Sequence, residues 1–91
     1  MVHWVYILES ETSGRYYVGQ TDDVARRLAY HNRGLSRSTR GRGPWKLMYK
    51  EKSATRSEAC RREREIKGWR SRVAIERLIA SGHSRGVAQF G

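Results

Sequence analysis

The sequence has few of the residues that cross-link a small protein and no long apolar segment that could hold it in a membrane. Of its 91 residues one is cysteine and one is proline, so no disulfide can form within the chain and no cysteine-based zinc site exists. Its longest wholly apolar run, residues 4–8, is far too short to span a bilayer, and no basic segment followed by a long apolar one opens the chain. We therefore expect one cytoplasmic domain near the minimum size for a hydrophobic core, with no membrane association.

Acidic residues are also scarce, which leaves the chain strongly basic. Nine Asp and Glu stand against 19 Lys and Arg, a formal charge of +10 at pH 7, and 15 of the basic residues are arginine. Arginine pairs bidentately with phosphate, and three Trp and five Tyr supply rings on which bases can stack. The composition favours a nucleic-acid partner over a surface that is merely basic and soluble.

Three strands are predicted from runs of β-branched, aromatic and aliphatic residues. Residues 2–8 and 15–20 flank a turn-rich segment and should form a hairpin, and the first run is apolar enough to be a central strand. Residues 45–52 should form the third strand. Its alternation predicts one face made of Trp45, Leu47 and Tyr49.

Three helices are predicted from capping residues and glycine stops. Each begins after a side chain that can accept a hydrogen bond from the first turn, and each ends at or near a glycine. The three starts are Thr21 or Asp22, Thr55 with Glu58 in a capping box, and Ser71. The three ends are His31 ahead of Gly34, Lys67 ahead of Gly68, and Gly82.

The resulting order is β-β-α-β-α-α. It predicts an α/β (α+β) fold in which a small, mostly antiparallel sheet is flanked by three helices. The domain should span residues 1–80, with a flexible tail over residues 81–91.

Three charged or polar residues occupy positions where helix periodicity favours an apolar side chain. Arg27 and His31 share a stripe of the first helix with two aliphatic residues, and Glu63 lies on the apolar stripe of the second. Burying an unpaired charge costs several kcal/mol, so these groups should either pair or line a cleft that receives an ion. Arg27 reaching past the edge of the core, or a buried Glu63–Arg27 ion pair, is the structural alternative to a functional site.

The two strands of the hairpin contribute Tyr6 and Tyr17. They lie at similar distances from the turn, so their hydroxyls could meet over one face of the sheet. Gly19 interrupts the second strand, and a glycine in a strand often marks the close approach of another group.

Taken in order, these residues resemble the GIY-YIG endonuclease superfamily. The matching segments are residues 4–6 (WVY), residues 17–19 (YVG), Arg27 and His31 in RRLAYHN, and Glu63 in SEACRREREIKGW. The resemblance covers residues 2–80. It is closest to the small bacterial stand-alone members and to the nuclease domain of the structure-selective endonuclease subunit.

The resemblance implies a metal-dependent endonuclease that hydrolyses phosphodiester bonds in DNA, selects by structure rather than sequence, and serves repair or recombination. Glu63 would hold one Mg²⁺ (or Mn²⁺). Tyr6 and Tyr17 would orient or deprotonate the attacking water and hold the phosphate, while Arg27 would stabilise charge on the phosphoryl oxygens. His31 would assist proton transfer or position Tyr6. A base role for Tyr6 requires positive charge to lower its pKa from about 10.

Two positions depart from the superfamily pattern. Trp4 stands where the first motif has glycine, and the asparagine often found near the end of the domain is missing, since Asn32 is the only one in the chain.

A non-catalytic DNA- or RNA-binding module on the same fold is the alternative function, and a protein partner could supply specificity. Both functions would use the same basic residues. Those expected to bind nucleic acid are Arg26, Arg33, Arg37, Arg40 and Arg42.

Overall fold

The computed structural model describes the backbone of residues 2–90 and the side chains of residues 2–82. Its elements are β1 (His3–Ser10), β2 (Tyr16–Thr21), α1 (Val24–Asn32), β3 (Trp45–Ser53), α2 (Arg56–Gly68) and α3 (Arg72–Phe90). The strands form one antiparallel sheet in the order β2-β1-β3. The predicted α+β fold, its order of elements and the central position of the first strand are confirmed.

Alternation along β1 divides the interior into two clusters. Val5 and Ile7 point to one side of the sheet, and Tyr6 and Leu8 point to the other, all at most 1% exposed. The side with Val5 and Ile7 packs against α2 and α3. The side with Tyr6 and Leu8 packs against Leu28 of α1. We call these the α2/α3 face and the α1 face.

The third strand does not keep the predicted alternation. Ile7 pairs with Tyr49 and the next residue, Leu8, pairs with Leu47, so β3 contains one extra residue at this point. This β-bulge reverses the direction of the side chains that follow. Trp45 and Leu47 therefore lie on the α1 face and Tyr49 on the α2/α3 face, and the prediction of a single shared face was wrong.

The first helix is capped one residue later than predicted. The Asp23 side chain accepts a hydrogen bond from the backbone N–H of Arg26 (3.0 Å), which makes Asp23 the N-cap. Thr21 Oγ1 instead accepts from the Asp23 N–H (3.1 Å), and Asp22 forms an ion pair with the Arg26 side chain (3.2 Å). All three residues thus order the turn between β2 and α1.

The starts of α2 and α3 agree with the sequence prediction. Thr55 Oγ1 accepts from the Glu58 N–H (3.1 Å), and Glu58 Oε1 accepts from the N–H of Ala54 (3.3 Å), one residue before the cap. Ser71 Oγ accepts from the Ala74 N–H (3.1 Å). Among the described residues no helix is both long and apolar enough to cross a bilayer.

The prediction that Gly82 ends the third helix was wrong, since α3 continues to Phe90. A Cβ atom at position 82 would lie 2.6 Å from two carbons of the Tyr49 ring. The glycine therefore lets α3 lie directly on Tyr49. Glycine inside a helix costs about 1 kcal/mol relative to alanine, which packing contacts of this kind can offset. The predicted flexible tail over residues 81–91 stays a prediction.

Candidate active site

Tyr6 occupies the centre of the α1 face because Gly19 leaves room for its side chain. The two residues are directly paired across β1 and β2. A Cβ atom at position 19 would lie 2.5 Å from the Tyr6 hydroxyl oxygen and 2.7 Å from Cζ. The strand glycine thus marks the close approach of a side chain. Tyr17 pairs with Leu8 and so lies diagonally across from Tyr6, with ring centroids 6.3 Å apart.

A buried chain of hydrogen bonds runs from Tyr6 into the loop between α1 and β3. The Tyr6 hydroxyl lies 2.9 Å from His31 Nε2, and His31 Nδ1 lies 2.8 Å from Thr39 Oγ1. All three side chains are at most 2% exposed. The predicted proximity of Tyr6 and His31 is found. Thr39 was not identified from the sequence, because nothing local in a Ser- and Arg-rich loop indicates a buried hydroxyl.

Burial shifts both titratable members of this chain toward their neutral forms. The pKa of Tyr6 is raised to about 12, chiefly by burial, and the neighbouring Arg27 guanidinium offsets only part of this. The pKa of His31 is lowered to about 4 by burial and by the positive charge of Arg27. A base role for Tyr6 requires a pKa below its usual value of about 10, and this condition is not met because burial outweighs the lowering by Arg27. At neutral pH both groups are uncharged.

Arg27 places a positive charge beside this buried chain. Its guanidinium carbon lies 4.4 Å from the centroid of the Tyr30 ring. Among the described side chains its charge is not neutralised by Glu63, so the ion pair considered as an alternative is not formed. The half-buried guanidinium is therefore available to an anion at the α1 face.

Glu63, on α2, lies near the phenol of Tyr6. Its charge contributes to the raised pKa of Tyr6, and its side chain is 19% exposed. Its partner is Lys67, whose Nζ lies 2.6 Å from Oε2 and 5.8 Å from the Tyr17 ring centroid. The i, i+4 spacing of Glu63 and Lys67 could have predicted this pair. A carboxylate thus lies near the two phenols and close to the surface.

The side chains of the site could hold a divalent cation only if a single carboxylate, that of Glu63, is its protein ligand. No group of three or more His, Cys, Asp or Glu capable of holding a metal occurs in the part of the chain that the structure describes. Mg²⁺, however, keeps several waters and is commonly held by one or two carboxylates together with substrate phosphate. Glu63 fits such a site, where the cation would replace Lys67 as its counter-charge.

A cleft of about 450 Å³ adjoins the site at the beginning of α1. Arg27 belongs to both the site and the cleft, and Arg26 and Arg56 also line the cleft. Arg26 is tied to Asp22 (3.2 Å), whereas Arg56 forms no ion pair with any described side chain. Arg56 escaped the sequence analysis because its nearness to α1 depends on the tertiary fold.

The basic loop over residues 33–44 is fastened to the site rather than loosely attached. The Asn32 side chain accepts from the Trp45 N–H (2.6 Å) and donates to the Trp45 carbonyl (3.0 Å), and Trp45 Nε1 donates to the Thr39 carbonyl (3.2 Å). Asn32 therefore has a structural role. The exposed arginines of this segment are Arg33, Arg37, Arg40 and Arg42.

Comparison with known proteins identifies the chain as a nuclease-type domain. The chain matches the GIY-YIG catalytic domain over residues 2–76. It is 48% identical to a UPF0213 protein of Halobacterium salinarum over 72% of this chain and 86% of that protein. A UPF0213 protein of Streptococcus pneumoniae is 35% identical over 96% and 87% of the two chains.

A solved structure agrees with these comparisons. The solution NMR structure of a UPF0213 protein from Bacillus halodurans is similar with a TM-score of 0.55 and 42% identity, over 88% of this chain and 84% of that one. The chain belongs to the GIY-YIG family and, within it, to the small stand-alone UPF0213 proteins. GIY-YIG nucleases act on nucleic acid and generally depend on a divalent metal.

Proposed function

We propose that this protein is a Mg²⁺-dependent endonuclease that hydrolyses phosphodiester bonds in DNA, selecting branched or otherwise irregular structures. Repair or recombination in the cytoplasm, with a protein partner supplying further specificity, is the setting we propose. The observation that carries the proposal is the contact of Tyr6 with His31 beside Arg27, which forms no ion pair with any side chain of residues 2–82. A pure binding surface has no need of a proton acceptor buried behind a phenol.

In this proposal Tyr6 relays a proton rather than acting as a free phenolate. With a pKa of about 12, ionising Tyr6 at pH 7 would cost about 7 kcal/mol at 1.36 kcal/mol per pKa unit. Transfer to His31 costs less, since its neutral Nε2 can take the Tyr6 proton while the phenol oxygen takes one from the attacking water. Protonating an imidazole with a pKa of about 4 at pH 7 costs about 4 kcal/mol at the same 1.36 kcal/mol per pKa unit. The phenol stays neutral before and after the transfer.

The charged groups around Tyr6 act on the phosphate. Arg27 donates hydrogen bonds to phosphoryl oxygens as negative charge builds on them, a contribution that is large in a site shielded from water. Tyr17 is only half-buried, and its hydroxyl can hold the phosphate or the water. A Mg²⁺ held by Glu63 would supply further neutralisation of charge at the phosphate.

Basic groups in two regions next to the site supply positive charge for the nucleic-acid strand. Exposed arginines lie on the loop over residues 33–44, which contacts His31 through Thr39, and Arg26 and Arg56 line the cleft that Arg27 also lines. Because backbone phosphates carry no sequence information, contacts of this kind favour recognition by shape.

The experiment is an assay of the purified protein against branched, flapped, nicked, duplex and single-stranded DNA, and RNA of the same sequences, with Mg²⁺, Mn²⁺ or EDTA. We expect cleavage of at least one branched or flapped DNA with either metal and none with EDTA. Binding without cleavage of any substrate in any metal would overturn the proposal.

A non-catalytic DNA- or RNA-binding module is the second candidate. The observation in its favour is the Lys67–Glu63 contact of 2.6 Å, since an amine that neutralises the carboxylate reduces its attraction for a cation. The same assay separates the two functions because only the enzyme yields metal-dependent products.

A further inference from the structure

Thr39 contacts the buried imidazole from the loop between α1 and β3. It is 1% exposed, and its Oγ1 lies 2.8 Å from His31 Nδ1. Its carbonyl accepts from Trp45 Nε1 (3.2 Å), and Trp45 is fixed in turn by two hydrogen bonds to Asn32. The hydroxyl is therefore held against the ring by the fold of the whole loop.

The hydrogen bonds of Tyr6 determine which nitrogen of His31 carries the proton. The imidazole is neutral at pH 7, so it has one N–H and one lone pair to share between Tyr6 and Thr39. Arg27 lies beside the Tyr6 oxygen and can only donate. Either tautomer leaves one buried hydroxyl hydrogen without an acceptor among the described groups, that of Tyr6 or that of Thr39, at a cost of about 1–3 kcal/mol. Only the Tyr6 oxygen also faces a cationic donor, and a second donor from Nε2 would compete with Arg27 for that oxygen. This difference favours the proton on Nδ1, where Thr39 accepts it.

We infer that Thr39 is a positioning residue: its hydroxyl accepts the Nδ1–H of His31 and so keeps Nε2 free to take the proton of Tyr6. The inference rests on the proposed function for its catalytic consequence, but the tautomer itself is a property of the folded protein without substrate. Without the Thr39 oxygen the Nδ1–H would be buried and unpaired. The ring would then gain by moving its proton to Nε2, which directs a donor instead of an acceptor at Tyr6.

The other groups around the imidazole do not replace this hydrogen bond. The rings of Tyr17 and Tyr30 lie 4.8 Å and 6.1 Å from the imidazole centroid, and Arg27 contributes a positive charge. From β1, β2 and α1 the imidazole thus meets two phenol rings, the Tyr6 hydroxyl and one cation. Among the described side chains, Thr39 supplies the hydrogen-bond acceptor for Nδ1.

The test is the tautomer of His31 in ¹⁵N-labelled protein, read at pH 7 from long-range proton–nitrogen correlations. We expect the Nδ1-protonated pattern in the parent and in Thr39→Ser, which keeps the hydroxyl, and the Nε2-protonated pattern in Thr39→Val. Ser38→Ala, an exposed hydroxyl of the same loop, serves as the matched control and should resemble the parent. An Nε2-protonated parent overturns the inference even if Thr39→Val fails to fold, and an unchanged pattern in folded Thr39→Val does so as well.

The kinetic consequence is measured on whichever substrate the parent cleaves. Thr39→Val should lower the single-turnover rate about 100-fold at neutral pH with substrate affinity unchanged, as expected for a proton acceptor in the wrong tautomer. Thr39→Ser should restore the rate to within about threefold, and the pH–rate profile should change shape in Thr39→Val alone. A parent that cleaves nothing defeats the proposed function but leaves the tautomer result standing. A correct tautomer shift without loss of rate defeats the role assigned to Thr39.

Discussion

The two faces of the sheet differ in what fills them, although the same central strand supplies both. The α2/α3 face buries mainly aliphatic side chains such as Val5, Ile7 and Ile66, together with the Tyr49 ring, and these contribute burial and dispersion. The α1 face combines the buried Leu8 with a larger share of polar rings, of which Tyr6, His31 and Trp45 are buried. Alternate residues of β1 thus serve stability on one side and chemistry on the other, so substitutions on the two faces should have separable effects.

The largest effect is expected from removing a hydroxyl on the α1 face. Tyr6→Phe keeps the ring against Gly19 but removes the proton that His31 accepts, so we expect the cleavage rate to fall by about 10²–10⁴. Single-turnover kinetics at saturating enzyme measure it, with a melting curve to verify folding. If the variant cleaved at the parent's rate, the Tyr6 hydroxyl would have no role in cleavage, and the α1 face would not differ from the α2/α3 face in chemical function.

The corresponding change on the α2/α3 face should affect stability instead. Ile66 is fully buried, and Ile66→Ala leaves a cavity that should lower the free energy of unfolding by about 2–5 kcal/mol. Urea unfolding measures this loss, and the cleavage rate per folded molecule should stay within about threefold of the parent's. A large loss of rate in the folded variant would mean that the two faces are not separable.

The sensitivity of folding to acid should originate on the α1 face. The pKa of His31 is about 4 in the folded protein and about 6.5 when unfolded, so the unfolded chain binds more protons between these values. The contribution of His31 is fully present above pH 6.5 and declines by up to about 3 kcal/mol as pH falls to 4. Comparing urea unfolding of the parent and His31→Gln at pH 7, 5.5 and 4 should show a smaller decline in the variant. Equal declines would assign the acid sensitivity to other groups.

The smallest effect is expected at the edge of the α1 face, where only binding is involved. Arg56 lines the cleft beside Arg27, whereas Arg64 on the same helix is exposed and does not line it. Arg56→Ala should weaken DNA binding several-fold and lower the slope of log affinity against log salt by about 1 more than Arg64→Ala does. Fluorescence anisotropy at several salt concentrations measures both, and equal slopes would show that the cleft attracts DNA only through its general charge.

The sequence predicted the fold well where its signals were local. Hairpin and helix order follow from apolar runs, turn residues and the caps at Thr55 and Ser71. The prediction was wrong where a long-range contact overrides a local preference. Gly82 continues a helix because it packs on Tyr49, and the bulge opposite Ile7 and Leu8 leaves no trace in the alternation of β3.

The site was predictable as a set of residues but not as a set of contacts. Arg27, His31 and Glu63 could be identified because each conflicts with the periodicity of its helix. Their partners could not, since Thr39 and Arg56 come close only when a loop and a second helix fold against α1. The pKa of Tyr6 likewise depends on burial, which outweighs the charge of Arg27.

The most direct test of the account is the metal-dependent cleavage rate of Glu63→Gln beside that of the parent, on the substrate that the parent prefers. The amide keeps the shape of the side chain but removes the negative charge that would hold Mg²⁺. We expect cleavage to be abolished while DNA affinity stays equal or rises, because a negative charge near the phosphate is lost. A folded Glu63→Gln variant that cleaves as fast as the parent in Mg²⁺ would contradict the account.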